Sequence, residues 1–283
     1  LRVGIVGAGL IGGSIAMASR ALVPAANISL LDPKDAHARW LAANLGGARV
    51  VCNLAEFAGS DIVFVATPLL VIPPTVRQLA ALLREAVIID CGSAKSAIIE
   101  AIAEGGPPIP NFVPGHPLGG GISSGPFGAS AQIIQEKPFV LCPLDQTAPR
   151  SLQRAEEILA ALGALPRRLS PAAHDYQLAY ASHLPHLLAY ALTAAALERG
   201  ASGLDGTMIP GSLRAISRYT LGAGDMWAEI FKANEGELVR ALDTFRDHLG
   251  ELRGLVEAGD RDRLATRLGE VGAARRAAMG EVS

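Results

Sequence analysis

Across the first 142 residues, short β-rich apolar runs alternate with segments of helical length, and that alternation leaves few folds open. The runs RVGIV (2–6), ISLL (28–31), DIVFVA (61–66), AVIID (86–90), NFVPG (111–115) and PFVLC (138–142) read as buried strands. Several are apolar almost without interruption, as expected of parallel strands covered on both faces. Helices are predicted between and after them at 10–22, 35–45, 72–84, 95–104 and 149–162. Repetition of this kind builds a doubly wound α/β sheet, which LPRRLS (165–170) is expected to close.

Beyond Pro171 the strand signal stops. A long helix is expected from about Ala173 to Glu198, and Leu238, Leu242, Phe245, Leu249, Leu252 and Val256 recur at spacings of four and three. That is one apolar stripe of an amphipathic helix, and another helix is expected from Arg261 to Met279. The change of pattern places a domain boundary near residue 172, dividing the chain into 1–172 and 173–283. So much apolar surface on an all-helical half suggests dimerisation, although an internal core would explain the same stripe.

The glycines of VGAGLIGGS narrow the first half further. Gly7, Gly9 and Gly12 stand in G-x-G-x-x-G spacing between the first strand and the first helix. Gly7 and Gly9 would allow a tight turn and close approach of backbone to a pyrophosphate, and Gly12 close helix–strand packing. The helix N-terminus beginning at Leu10 and Ile11 then offers N–H groups to the phosphates. Asp32 closes the second strand 20 residues beyond Gly12, where a carboxylate meets ribose hydroxyls. A 2′-phosphate would be repelled there, so NAD is favoured over NADP, with Lys34 nearby as the opposing influence. Thr67, just past the DIVFVA strand, is a further candidate at the cofactor edge of this Rossmann-type domain.

Composition removes several other classes. The chain has 283 residues, half of them hydrophobic, and a formal net charge of −2. It therefore lacks the basic excess of a nucleic-acid or anionic-membrane binder. Cys52, Cys91 and Cys142 are odd in number and far apart, which points to a reducing, cytoplasmic setting rather than a disulfide framework. The most apolar segment, 184–197, is too short to span a bilayer and is entered through histidine and proline. No signal peptide is expected, since a strand already occupies residues 2–6.

The run PGHPLGGGISSGP (114–126) cannot sustain a helix or the middle of a sheet, yet it carries His116. That histidine follows a strand expected to end at the carboxyl edge of the sheet, where ligands of such folds bind. Neutral imidazole suits the removal of a hydroxyl proton as hydride leaves. From position alone, an idle loop histidine is an equal reading. Gly121, Ser123 and Gly125 match G-x-S-x-G, but a nucleophile elbow needs a strand, a sharp turn and a helix, and this loop is broad. Arg214 and Arg218, four apart, would share a helix face and form either an anion site or a solvated pair. His183 and His186, with His174 and Asp175 upstream, could suggest a metal. No cysteine or further carboxylate completes a shell, so no metal is expected, and satisfied core histidines are the alternative.

Several segments together resemble the prephenate/arogenate (cyclohexadienyl) dehydrogenase family of tyrosine biosynthesis. They are GIVGAGLIGGSIA at the start, DCGSAKSAI (90–98), GHPLGG (115–120), HDYQLAYASHLPHLLA (174–189) and GSLRAISRYTLGAGDMWAEIFKAN (211–234). The resemblance implies a dinucleotide-binding domain followed by an all-helical substrate and dimerisation domain, and NAD-dependent oxidative decarboxylation of a cyclohexadiene dianion. It implies that His116 accepts the hydrogen bond of the 4-hydroxyl and that Ser93 assists it. Arg218 would bind substrate with Arg214 beside it, His186 would face the side-chain carboxylate, and His183 would order the helix start. Many relatives carry Thr-Glu where this chain has Gly121 and Ile122, which bears on the substrate rather than on hydride transfer. The alternatives are a sister enzyme acting on 4-amino-4-deoxyprephenate and a nucleotide-sensing protein without catalysis.

Overall fold

The computed structural model describes residues 1–121, 125–200 and 211–280, with backbone alone for 199–200. Among the described residues nine strands form, in chain order β1 (Arg2–Val6), β2 (Asn27–Leu31), β3 (Arg49–Val50), β4 (Ile62–Val65), β5 (Val87–Asp90), β6 (Phe112–Val113), β7 (Gly115–Pro117), β8 (Pro138–Leu141) and β9 (Leu165–Arg168). The first six make one parallel sheet in the order β3-β2-β1-β4-β5-β6. Its strand order reverses between β1 and β4, and the crevice outside the carboxyl ends of those strands is where this architecture binds ligands.

Period-two alternation sends successive strand side chains to opposite faces. Ile62 and Phe64 of β4 enter one apolar core, with Ile15 of α1 (Leu10–Leu22) and Leu41 of α2 (Asp35–Asn44). Val63 and Val65 enter the other, with Val76 of α3 (Ile72–Leu82) and Ile98 of α4 (Ser96–Glu104). With helices on both faces, β4 and β5 are buried at every residue. The expected helices at 10–22 and 35–45 form nearly as read. The one at 149–162 forms as α5 (Pro149–Ala161).

Two expectations about the sheet are corrected. PFVLC and LPRRLS do not extend the parallel sheet. β8 pairs antiparallel with β7 and parallel with β9 in a separate three-stranded sheet. The run 111–115 is likewise two strands, because Pro114 lies between β6 and β7 and cannot donate to a ladder. The edge strand β3 is too short to leave a periodic signal. His116 therefore sits in a short strand rather than in irregular loop.

The long helix is also interrupted. It begins one turn's edge earlier, at α6 (Pro171–Leu178), where the Ser170 hydroxyl accepts from the Ala173 N–H at 3.2 Å and Pro171 takes the first helical position. Residues Ala179–His183 then form a π turn before α7 (Leu184–Gly200). Pro185 follows at once, and its missing N–H is a physical reason for the ladder to change there. Next come α8 (Gly211–Ser217), a 3-10 turn at Arg218–Leu221, α9 (Gly224–Ala233), α10 (Glu235–Glu257) and α11 (Arg261–Met279).

The chain divides into two compact units, Leu1–Glu235 and Gly236–Ser283. In the second, Arg267 of α11 donates to Glu251 of α10 at 2.9 Å, and the Asp260 carboxylate caps α11 through the Arg263 N–H at 3.0 Å. Along the expected stripe Leu238 is buried, whereas Leu249 and Val256 are exposed, as are Leu268 and Val271 of α11. Among the described residues no helix is long and apolar enough to cross a membrane.

Candidate active site

The glycine turn after β1 is shaped by contacts that exclude a side chain. Gly7 has φ +98°, and a Cβ there would lie 2.4 Å from the Ala66 carbonyl oxygen. A Cβ on Gly12 would lie 1.9 Å from the Gly7 oxygen, so helix and turn touch backbone to backbone. At Gly9 a Cβ would meet nothing within 4 Å, which leaves open space beside the turn. The first turn of α1, at Leu10 and Ile11, has no side-chain cap, so its N–H groups are available to an anion.

Asp32 braces this turn while keeping acceptor capacity. One carboxylate oxygen accepts from the Ala8 N–H at 2.7 Å and the other from the Lys34 N–H at 2.8 Å. Each oxygen has a second lone pair for a ribose hydroxyl. The buried Thr67 hydroxyl, across the crevice at the end of β4, has no partner among the described residues. An uncapped helix, an open space at Gly9, an orphaned hydroxyl and a carboxylate at the end of β2 fit a dinucleotide. They bring together the expected residues Gly7, Gly9, Leu10, Ile11, Gly12, Asp32 and Thr67.

His116 is held by a buried charge cluster that sequence reasoning did not identify. The Asp90 carboxylate, at the end of β5, accepts from the Gly115 N–H at 3.1 Å and the Gly92 N–H at 3.0 Å. Lys95, with no exposed surface, pairs with Asp90 and donates to the Gly115 carbonyl at 2.6 Å. One ion pair thus fixes both the strand carrying His116 and the loop carrying Ser93. Gly115 must be glycine, since a Cβ would lie 2.7 Å from Ile89 and 2.9 Å from the Asp90 carbonyl. Ser93 lies half-buried in the bend before α4.

His116 Nδ1 lies 2.8 Å from His174 Nε2, and His174 Nδ1 lies 2.8 Å from Asp175 Oδ1. Asp175 also accepts from the Lys95 and Ser96 N–H groups at the start of α4, both at 2.8 Å. Burial works to raise the Asp175 carboxyl, but the hydrogen bonds from His174, Lys95 and Ser96 outweigh it and bring its pKa down to about 2. His116 is pushed well below the ordinary imidazole value, first by burial and then by His174 and Lys95. It is therefore neutral at physiological pH, as a proton acceptor must be.

The two other candidate histidines flank the junction of the π turn and α7. His183 is buried, with Nδ1 3.1 Å from the Asn234 amide, which also donates to the Asp175 carbonyl at 2.8 Å. Burial, and then His174, bring its pKa down to about 4. His183 Nε2 has no partner among the described residues. His186 donates from Nδ1 to the Ser182 carbonyl at 2.9 Å and stacks on Trp227 with centroids 3.6 Å apart. Its edge meets Tyr219, next to Arg218, at 4.8 Å. Among the described residues no three His, Cys, Asp or Glu side chains gather in a way that could hold a metal ion.

Arg214 lies in the last turn of α8 and Arg218 opens the 3-10 turn, both exposed and without an acidic partner among the described residues. Ile122 and Ser123, on which the substrate and serine-nucleophile readings rest, lie outside the described residues. Asp90, Lys95, His174 and Asp175 were legible only as motif letters. An acid ending an apolar strand, with a lysine five residues on, was the available sign of a buried pair.

Comparison with known proteins bears on the family and the fold. Residues 15–166 match the profile of the prephenate dehydrogenase nucleotide-binding domain, and residues 170–270 that of the prephenate dehydrogenase dimerization domain. The cyclohexadienyl dehydrogenase of Zymomonas mobilis is 30% identical over 93% of this chain and 90% of its own. The prephenate dehydrogenase of Bacillus subtilis is 27% identical over 92% of this chain and 71% of its own. Among solved structures, Aquifex aeolicus prephenate dehydrogenase in complex with hydroxyphenyl propionate and NAD+ superposes with a TM-score of 0.87 at 26% identity, over 97% of this chain and 96% of that one. Synechocystis arogenate dehydrogenase gives 0.79 at 26% identity, over 97% and 99%. On the two domain matches and the Zymomonas relative, the chain belongs to the prephenate dehydrogenase family of oxidoreductases.

Proposed function

We propose that the chain catalyses NAD-dependent oxidative decarboxylation of prephenate, arogenate or both, yielding 4-hydroxyphenylpyruvate or tyrosine. The observation that carries this reading is His116: buried, neutral, anchored through Nδ1, and with Nε2 free of any hydrogen bond among the described residues. NAD is favoured because Asp32 presents a carboxylate at the ribose end, and because the Aquifex relative was solved with NAD+. When bound, the nicotinamide supplies the hydride acceptor.

His116 Nε2 accepts the hydrogen bond of the ring 4-hydroxyl and takes up positive charge as the C4–H bond breaks. The bond from the ring to its carboxylate then gives its electron pair to the ring, releasing CO2 and completing the aromatic system. The product keeps its hydroxyl, so a proton taken by His116 returns to the ring oxygen and none is released overall. Ser93 supports His116 at the hydroxyl. Arg218, with Arg214, orients the substrate carboxylates, and His186 meets the side-chain end. A cation at the departing carboxylate must orient it without favouring the ground state over the transition state.

We place the functional boundary at residue 172, where strands give way to helices, and infer a homodimer through the helical half. The matched dimerization domain and the exposed Leu249, Val256, Leu268 and Val271 support the dimer. The three unpaired cysteines favour a reducing, cytoplasmic setting. The test is NADH formation with prephenate and with arogenate, each with NAD and NADP. Activity on either with NAD supports the reading, and inactivity on both with intact NAD binding overturns it in favour of amino-substituted cyclohexadienes.

A further inference from the structure

We propose that Asp175 and His174 are positioning residues that lock His116 in its Nδ1–H tautomer and so leave a bare Nε2 lone pair for the substrate hydroxyl. The inference rests on His116 being the proton acceptor, as proposed above, and adds how it is made one. A neutral imidazole carries its proton on either nitrogen, and only one tautomer can accept at Nε2.

The chain of constraint starts at the helix. Asp175 takes N–H bonds from Lys95 and Ser96 at 2.8 Å each, at the N-terminus of α4, so it stays an anion and can only accept. Its Oδ1 lies 2.8 Å from His174 Nδ1, which must therefore carry the proton. A His174 ring carrying that one proton has a bare Nε2, and this atom faces His116 Nδ1 at 2.8 Å. Two bare nitrogens at that distance would repel, so the shared proton belongs to His116 Nδ1. His116 Nε2 is left as acceptor.

The geometry holds the relay rigidly. His174 has no exposed surface, and its ring meets that of His116 edge-on at 66°. The Asn234 amide donates to the Asp175 backbone carbonyl at 2.8 Å, fixing α6 from the far side. When His116 gains charge, the Asp175 carboxylate stands one imidazole away and offsets it within a buried site. This role differs from a plain structural clamp, which would be indifferent to where the His116 proton resides.

The test reads that proton directly. Long-range ¹H–¹⁵N correlation of the full chain, with His116 assigned by its loss in His116→Asn, is expected to show Nδ1 protonated and Nε2 bare. In His174→Phe the acceptor is gone, and His116 is expected to shift toward the Nε2–H form. kcat should then fall by about 10²-fold, in the range of a lost acid–base function, with KM for NAD unchanged. His174→Gln restores an amide oxygen near the lost nitrogen and should recover part of the rate. A wild-type His116 protonated on Nε2 overturns the proposal, and this measurement needs no variant of His174 to fold. So does wild-type kcat in His174→Phe when His116→Asn is inactive. If His116→Asn is itself active, the failure lies instead in the assignment of the proton acceptor.

Discussion

Replacing Lys95 with methionine strands a buried carboxylate and should be among the most damaging substitutions in the first unit. Both side chains of the Lys95–Asp90 pair are fully buried. Methionine fills similar volume, so cavity formation contributes little. Losing one partner of a buried pair costs roughly 3–5 kcal/mol. Asp90 keeps its N–H bonds from Gly92 and Gly115, which places the expected cost near the lower end, about 3 kcal/mol. The lost Lys95 bond to the Gly115 carbonyl argues against anything smaller. At a urea m-value of about 3 kcal/mol per M, the upper end for small proteins, the unfolding midpoint should drop by about 1 M. Fluorescence-detected urea titration measures this. Lys95→Met with Asp90→Asn removes the stranded charge and should be more stable than Lys95→Met alone. A single variant losing less than about 1 kcal/mol, or a double variant no better than the single, would refute the buried-pair argument.

His116→Asn should lower kcat by about 10²-fold or more, with a smaller change in KM, measured by steady-state NADH formation. Because burial depresses the His116 pKa, the acidic fall in wild-type rate should lie below the ordinary imidazole range. A fall centred at about 6.5 would contradict that. His183, brought to about 4, resists protonation in the folded chain while the unfolded chain accepts the proton. Stability should therefore decline as pH falls from the ordinary imidazole value toward 4, as thermal unfolding across that range would show. Arg218→Ala should chiefly raise substrate KM, by about the 1.5–3 kcal/mol of a charge-assisted hydrogen bond, and Arg214→Ala should do so less. An unchanged KM returns Arg218 to the role of a solvated surface residue. Asp32→Ser should narrow the NAD-over-NADP preference in kcat/KM and weaken NAD as well, since the Ala8 N–H loses its acceptor. Prephenate should be accepted at least as well as arogenate, whose ammonium needs an acidic partner, and Ile122→Glu should move the ratio toward arogenate. A wild-type enzyme strongly preferring arogenate would place that partner elsewhere.

The sequence by itself determined what depends on neighbours along the chain. Unbroken apolar runs require burial on both faces, glycines at a tight turn require room, and helical periodicity runs over consecutive residues. Hence α1 and α11 form at the residues expected, and Gly7, Gly9, Gly12 and Asp32 meet at one crevice. Its motifs also carried the family. Pairing between distant segments leaves no local mark, so only the tertiary structure decided that β7, β8 and β9 form a sheet of their own. The same holds for His116, whose partner His174 lies 58 residues away, and for Asp175, which accepts from N–H groups 79 and 80 residues distant. A charge can be buried only where folding brings its counter-charge and donors, and that condition is set by the fold rather than by the residues beside it in the chain.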